Sequence, residues 1–254
     1  MRPQIESTLA IVFALLAFLS VAIWNGSPFY FWDSPDYIEL PFSWNLPPYR
    51  TAPYGAFLEI ARLTGTLWTV VIVQAAIVTY VLYETLSVFV AERAPRLLAL
   101  LTLPLALLSG LPWVVGQIMA DAMTGPVVLA VIALTFATDR LSAVRRTALA
   151  ATLALAVSLH TSHIAIGGGL LAFIVVANWL LRRHAGDLRP RPMVPALALV
   201  AGVALTAMVH WATVGRPFVT QPSYVLWLGR LVEDGIAQRF LDDNCRRGNE
   251  YKLC

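Results

Sequence analysis

Few residues in this chain could carry out acid–base or phosphate chemistry, and the first of them follows a run of aromatic residues. Asp33 comes directly after Phe29–Trp32, and Asp36 lies three residues later. A carboxylate beside such a run can take a proton from a hydroxyl group or bind a divalent metal ion. It can also be a solvated acid or the capping partner of an interfacial helix. The spacing alone leaves both interpretations open.

Four more residues have types suited to phosphate or metal chemistry. Arg50 can hold a phosphate group with two parallel hydrogen bonds, or it can meet ordinary lipid headgroups. Asp121 opens an apolar run, either as a carboxylate facing a cavity or as an acid stabilised by a helix N-terminus. His160 and His163 can ligate a metal or donate to a phosphate oxygen, or they can cap helix ends. The residue types therefore suit a phosphate or metal site, and they do not decide between this role and a structural one.

Other polar residues have simpler interpretations. Glu84 lies in the later half of an apolar run and is expected to pair or to snorkel toward the interface, and His210 is expected to be a hydrogen-bonded interfacial histidine. Cys245 and Cys254 both lie near the carboxyl end. They can form a disulfide in an oxidising compartment, or they can be two free thiols.

The elements that position these residues are membrane helices. The 254 residues are 58% hydrophobic and only 13% charged, about half the roughly 25% charged of a soluble domain. This composition excludes an ordinary soluble protein. Although the net charge is +3, the cations are spread over short connections, so a nucleic-acid partner is not expected. We expect an all-α, polytopic protein embedded in a lipid bilayer.

Apolar runs of spanning length give the predicted helices. They lie at 5–24, 67–90, 97–116, 117–138, 147–181 and 194–214. A single helix over 147–181 would be about 52 Å long, well beyond a hydrocarbon core of roughly 30 Å. This run is therefore predicted to be a hairpin of two helices that turns near His160–His163, which brings the count to seven spans.

The distribution of arginine supports the hairpin and predicts the orientation. The connections before and after the run 147–181 are both rich in arginine, so both are expected to be cytoplasmic. Only an even number of spans between them allows this. The amino terminus is then inside and the carboxyl terminus outside. Loop 25–65 and the turn at His160 share the outer face.

The outer segments contain signals for short surface helices. Ser34 before Pro35 marks one helix start, and Thr51–Pro53 marks a second, with Gly65 as its stop. We expect residues 1–214 to form the transmembrane domain, including outer loop 25–65. Residues 215–254 are expected to form an amphipathic outer tail that starts at Pro222–Ser223.

A long first outer loop with an acid and two surface helices resembles the GT-C class of membrane glycosyltransferases. The sequence contains Asp33-Ser-x-x-Tyr37 and Arg50-x-x-Pro-Tyr54 in that order. More narrowly, it is similar to the bacterial branch that uses polyprenyl-phosphate sugars, which implies a bacterial inner membrane with the carboxyl terminus in the periplasm. The resemblance covers roughly residues 1–181, and its motifs are short. Members are usually longer, with further spans and often a soluble domain. The resemblance therefore implies that 215–254 lead into a missing C-terminal part.

This resemblance implies a function and roles for the candidate residues. The protein would transfer a sugar from a polyprenyl-phosphate carrier to a glycan or lipid acceptor at the outer face. Asp33 would be the base or metal ligand, with Asp36 as a second acid; a divalent metal is compatible with this chemistry but not required. Arg50 would hold the donor phosphate. The residues that complete the substrate cavity would be Tyr54, Asp121, His160 and His163.

Two other functions are compatible with the sequence. A transporter or flippase would place charged residues at the middle of the bilayer and show a repeat between its halves. Here most acids lie at the predicted outer boundary, and no clear repeat is visible. A non-catalytic membrane partner protein would not need the acids of the first loop.

Overall fold

The computed structural model describes residues 2–44, 50–181, 190–220 and 223–245. The chain divides into two compact units. Met1–Leu46 and Thr51–Val219 form the first, and Pro47–Arg50 and Thr220–Cys254 form the second. Apart from one isolated bridge between Phe29 and Gln117, the described residues form helices and connections only. The described part of the protein is therefore all-α, as the composition predicts.

The first unit consists of long apolar helices and shorter helices in their connections. In chain order its helices are α1 (Arg2–Asn25), α2 (Ser34–Ser43), α3 (Ala52–Phe57), α4 (Glu59–Thr64), α5 (Trp68–Val90), α6 (Ala94–Leu108), α7 (Leu111–Val115), α8 (Thr124–Phe136), α9 (Ala143–Leu159), α10 (Thr161–Leu180) and α11 (Met193–Val214). Single 3₁₀ turns cover Ala91–Arg93, Ala120–Met123 and Thr138–Arg140. The helices predicted to begin near Ser34 and Thr51 are present, and α4 ends at Gly65 in the left-handed conformation.

Several helices have the length and composition of a membrane span. They are Gln4–Asn25, Trp68–Leu108, Thr161–Leu180 and Met193–Val214, and Ala120–Phe136 is a shorter apolar helix. By contrast, α8 and α9 contain 13 and 17 residues, fewer than the roughly 20 that a straight span needs. The apolar helices identify a membrane-embedded protein, and the count of seven spans stays a prediction.

The stretch from 97 to 138 is less regular than its apolar composition predicts. α6 ends at Leu108, α7 is only five residues long, and regular helix resumes at Thr124. The backbone between α7 and α8 forms hydrogen bonds with the first loop instead. Phe29 N donates to Gly116 O at 2.8 Å, and Ile118 N donates to Phe29 O at 2.9 Å. A residue whose backbone pairs with another segment cannot also complete helical hydrogen bonds. The two helices predicted over 97–138 are therefore shorter than expected.

The long apolar run at 147–181 is interrupted at one residue. α9 ends at Leu159, α10 begins at Thr161, and His160 between them is extended, with φ −149° and ψ 135°. α9 and α10 also contact each other. The predicted division of this run into two helices near His160–His163 is confirmed.

The end of the first unit opposite His160 carries a set of ion pairs. Glu84 of α5 lies ten residues after Gln74, about 15 Å further along the helix. Its carboxylate accepts from Arg145 Nε of α9 at 2.9 Å, which is the pairing expected of this buried acid. Arg191 pairs with Asp139 nearby in the fold. Because Arg145 lies in the first turn of α9 and His160 follows its last residue, the arginines and the histidine turn lie at opposite ends of that helix.

The second unit contains two helices, α12 (Ser223–Glu233) and α13 (Ile236–Cys245), which contact each other. The predicted tail helix therefore begins at Ser223, as the sequence indicates. Both helices expose apolar side chains, including Trp227 and Phe240. This unit is amphipathic, as expected for the tail.

Candidate functional site

Asp33 occupies the N-cap position of α2, and its neighbour Ser34 holds this helix end in place. Ser34 Oγ accepts from Phe31 N at 2.8 Å and donates to Ile118 O at 2.9 Å. The sequence predicts Ser34 as the helix cap, but its buried hydroxyl instead joins the first loop to the segment three residues before Asp121. This bond and the pairing of Phe29 with Gly116 and Ile118 bring the loop acids and Asp121 to the same end of the first unit.

A glutamine in the middle of an apolar helix connects three segments at this end. Gln74 of α5 is fully buried and accepts from the Tyr54 hydroxyl at 2.6 Å. Its amide nitrogen donates to Val115 O at 3.0 Å and to Gln117 O at 2.9 Å. Sequence reasoning missed Gln74, although a neutral amide inside an apolar run is the signal that could have found it. Buried amides need partners, and here the partners come from α3 and the α7 region.

Tyr54 lies at the centre of a small aromatic and acidic group. Its ring meets Tyr37 edge to face at 5.0 Å, and it interacts electrostatically with Asp121. Burial raises the pKa of Tyr54 well above the ordinary value, and the nearby Tyr37 and Asp121 raise it further. The phenol therefore stays protonated and donates to Gln74. This arrangement makes Tyr54 a positioning residue for α3, and its predicted contact with substrate stays a prediction.

The two histidines of the turn have different environments. His163 is fully buried, and its Nδ1 lies 2.7 Å from Ala156 O. Since a carbonyl can only accept, Nδ1 carries the proton and Nε2 is left to accept from the Thr124 hydroxyl at 3.1 Å. His160 Nδ1 accepts from Ser162 N at 3.2 Å and caps α10. His163 thus fastens α10 to α8 and α9, and only half-exposed His160 is open to a ligand.

His210 of α11 completes the same end of the bundle. Its Nε2 accepts from Ala52 N at 3.0 Å, which places the proton on Nδ1, and Nδ1 donates to Phe218 O at 2.8 Å. Its ring also stacks on Phe218 at 3.9 Å. The expectation of a hydrogen-bonded histidine holds, and its partner Ala52 is the first residue of α3. His210 therefore helps to hold the helix that carries Tyr54.

The predicted site residues differ in their exposure and in the unit to which they belong. Asp33 and Asp36 are half-exposed, Asp121 is exposed, and each belongs to the first unit. Arg50 belongs to the second unit, so its predicted contact with a donor phosphate stays a prediction. Cys254 lies outside the described residues, and its pairing with Cys245 likewise stays a prediction. Within the described ranges, no group of three or more His, Cys, Asp or Glu side chains could hold a metal ion.

An apolar groove of about 340 Å³ lies beside the helix that carries the two loop acids. Ile38 and Phe42 of α2 form one wall, and Leu58 forms part of the other. At the rim, Arg62 Nε donates to both carboxylate oxygens of Glu59 at 2.8 and 2.9 Å, which lowers the pKa of Glu59. The acids and the groove share one helix: Asp33 and Phe42 are nine residues apart, about 14 Å along α2.

No known protein family, curated protein or solved structure matches this chain. The chemistry of the site therefore carries the functional argument, since a helical bundle by itself does not imply an activity.

Proposed function

We propose that this protein is an integral membrane glycosyltransferase of the GT-C type. It transfers a sugar from a polyprenyl-phosphate carrier to a glycan or lipid acceptor at the periplasmic face of a bacterial inner membrane. The main support is the grouping of Asp33, Asp36 and Asp121 at one end of an apolar bundle. Asp33 and Asp36 are connected to Asp121 through Ser34 and the backbone of Ile118.

The chemistry requires a base, a group that stabilises the leaving phosphate, and limited access for water. The acceptor hydroxyl attacks the anomeric carbon of the sugar, its proton passes to Asp33, and the polyprenyl phosphate leaves as an anion. His160 stabilises that phosphate with the ring N–H group that its capping role leaves available, and binding of the phosphate by Arg50 stays a prediction from the resemblance. A divalent metal held by Asp33 would be an alternative way to stabilise the phosphate.

The groove beside α2 supports a lipid-linked donor. An isoprenoid tail is apolar, and the groove is lined mainly by aliphatic and aromatic side chains. Its position along α2 would keep the tail about one and a half to two and a half helical turns from Asp33, because α2 advances about 5.4 Å per turn. One short helix would then orient both the carrier and the base.

The proposed orientation follows from the two ends of the bundle. The described arginines at 93, 96, 140, 145, 146 and 191 belong to the end or connections away from the loop acids. Clusters of arginine favour the cytoplasmic side. The acids and the groove then face the periplasm, where lipid-linked sugars are used in envelope glycan synthesis.

The test compares two neutralised acids on the same helix. D33N removes the proposed base, whereas E39Q neutralises an exposed acid of α2 and serves as the matched control. Purified variants in proteoliposomes are supplied with radiolabelled polyprenyl-phosphate sugar and membrane extract as acceptor. We expect D33N to lower transfer about 10²–10⁴-fold, the usual worth of a general base, and E39Q to remain near wild type.

Three results would distinguish the proposal from its alternatives. Transfer by D33N at the wild-type rate, with equal protein levels, would overturn the assignment of Asp33. Movement of labelled carrier across the bilayer without sugar transfer would instead indicate a flippase. If intact cells lacking the protein keep normal surface glycans and carrier-linked sugar, the transferase proposal is wrong.

A further inference from the structure

α9 and α11 pack closely against each other. A Cβ atom on Gly202 of α11 would lie 2.7 Å from Ala154 O of α9, so only glycine permits this approach. One turn further on, the Thr206 hydroxyl lies 3.4 Å from Ser158 O. Residue numbers increase together along both helices, so the two helices are parallel. Their amino-terminal ends therefore lie at the same end of the bundle, the end that carries the ion pairs.

A groove of about 350 Å³ opens between these helices toward their amino-terminal ends. This volume lies within the roughly 300–1,000 Å³ of small-molecule sites. The groove is mainly apolar, because Val194, Leu197 and five alanines line it. The alanines are Ala150, Ala151, Ala154, Ala198 and Ala201. An apolar chain in this groove would contact the alanine side chains and would displace no polar group.

Arg146 lies at the mouth of the groove with its charge uncompensated. It is half-buried and, unlike its neighbour Arg145, it makes no ion pair with any described residue. The first turns of α9 and α11 add partial positive charge at the same place, because backbone N–H groups at a helix start lack helical partners. A cation and two helix starts at the end of an apolar groove are complementary to an anion with an apolar tail.

A second groove at the same end of the bundle provides a comparison. It lies between α1 and α6, also has a volume of about 350 Å³, and is lined by Leu9, Phe13 and Arg96. Here the arginine is paired, since Arg96 Nε lies 3.6 Å from a carboxylate oxygen of Glu6. The two grooves therefore differ in net charge at the mouth while sharing size and apolar character.

We infer that the groove between α9 and α11 binds one anionic phospholipid, with an acyl chain along the alanines and the phosphate on Arg146. The charge at the mouth selects a headgroup with net negative charge over a zwitterionic one. Basic pockets between helices on the cytoplasmic side of membranes have this physical basis. The inference is independent of the proposed transferase activity, because this groove lies at the other end of α9 from His160.

The test measures lipid binding by native mass spectrometry of the full chain in detergent. Wild-type protein is titrated with phosphatidylglycerol or phosphatidylcholine, and the variants R146Q, R96Q and A201W are treated alike. We expect wild type to prefer phosphatidylglycerol, and R146Q to bind it about fivefold more weakly, the contribution of one cation near an anionic lipid. R96Q should keep the preference, because the charge of Arg96 is already offset by Glu6.

The groove itself is tested by A201W, since Ala201 is exposed and its replacement by a large ring fills the groove without entering the core. Weaker binding of both lipids by A201W supports the site. The inference is overturned if wild type shows no preference, or if R146Q and R96Q weaken phosphatidylglycerol binding equally. It is also overturned if A201W changes the oligomeric state and leaves lipid binding intact, because the groove is then a contact between copies of the chain.

Discussion

Replacement of Gln74 by leucine is the sharpest test of how the candidate site is held together. The leucine has a similar volume and suits an apolar helix, so the change removes hydrogen bonds with little effect on packing. Three partners lose their bonds to Gln74: the Tyr54 hydroxyl at 2.6 Å and the carbonyls of Val115 and Gln117 at 3.0 and 2.9 Å. Together these bonds fix α3 and the α7 region against α5.

The expected loss of stability follows from three bonds. Hydrogen bonds in membrane proteins average about 0.6 kcal/mol in double-mutant cycles, so three give about 2 kcal/mol as the lower figure. In soluble proteins a typical net value reaches about 1.5 kcal/mol, so three give about 4.5 kcal/mol as the upper figure. We therefore expect Q74L to lower the free energy of unfolding by about 2–4.5 kcal/mol.

The assay is reversible unfolding in mixed micelles, with wild type, Q74L, Y54F and the double variant. Q238L is the control, because Gln238 is an exposed glutamine of α13. The cycle should give a coupling of about 0.6–1.5 kcal/mol between Tyr54 and Gln74, the energy of their shared bond. A loss below about 0.5 kcal/mol for Q74L, as for an ordinary surface change, refutes the reasoning, and so does strict additivity.

Two further predictions concern pH and packing. Because the pKa of Tyr54 is raised in the folded state, folding favours the protonated phenol. The contribution of this phenol to stability is complete below the ordinary tyrosine pKa of 10.0, and it is lost as the pH rises toward the folded-state pKa. Thermal unfolding measured from pH 8 to pH 11 should therefore show an alkaline loss that is smaller in Y54F. G202A should cost about 1–3 kcal/mol by overpacking, since its Cβ would lie 2.7 Å from Ala154 O.

Each of these predictions has a control within the chain. Y30F removes the hydroxyl of an exposed tyrosine and should keep the alkaline loss, and a Tyr54 that titrates near 10.0 in the folded protein would contradict the first prediction. Gly168 of α10 has no atom within 4 Å of an added Cβ, so G168A should be neutral or stabilising. Equal effects of G168A and G202A would show that overpacking is not the cause.

Much of the fold follows from local rules that the sequence obeys. The run 147–181 is too long for one helix, so its division into two helices follows from length and bilayer thickness. Glu84 is expected to pair or to snorkel because an unpaired acid in an apolar helix is costly. The shortening of the helices over 97–138 could not be foreseen, because it depends on Phe29, a residue far away in sequence, which pairs with Gly116 and Ile118.

The candidate site divides in the same way. The number of spans and the arginine distribution predict that Asp33, Asp121 and His160 lie on the same side of the membrane. In the structure, the segments that carry these residues meet at one end of the first unit. The separate environments of His160 and His163 were not predictable, because both are polar residues of one turn. Burial of His163 depends on Thr124 and Ala156, which approach it only in the folded bundle.

By itself the sequence determined an all-helical, membrane-embedded chain and singled out Asp33, Asp36 and Asp121 as its candidate acids. These properties depend on composition and periodicity, which act over a turn or a span of helix. Only the tertiary structure decided that Gln74, Ser34 and His210 hold the site together, and that Arg146 lies unpaired at a groove while Arg96 is paired. Hydrogen bonds and ion pairs act over about 3–4 Å, so residues distant in sequence acquire such roles only when folding brings their atoms into contact.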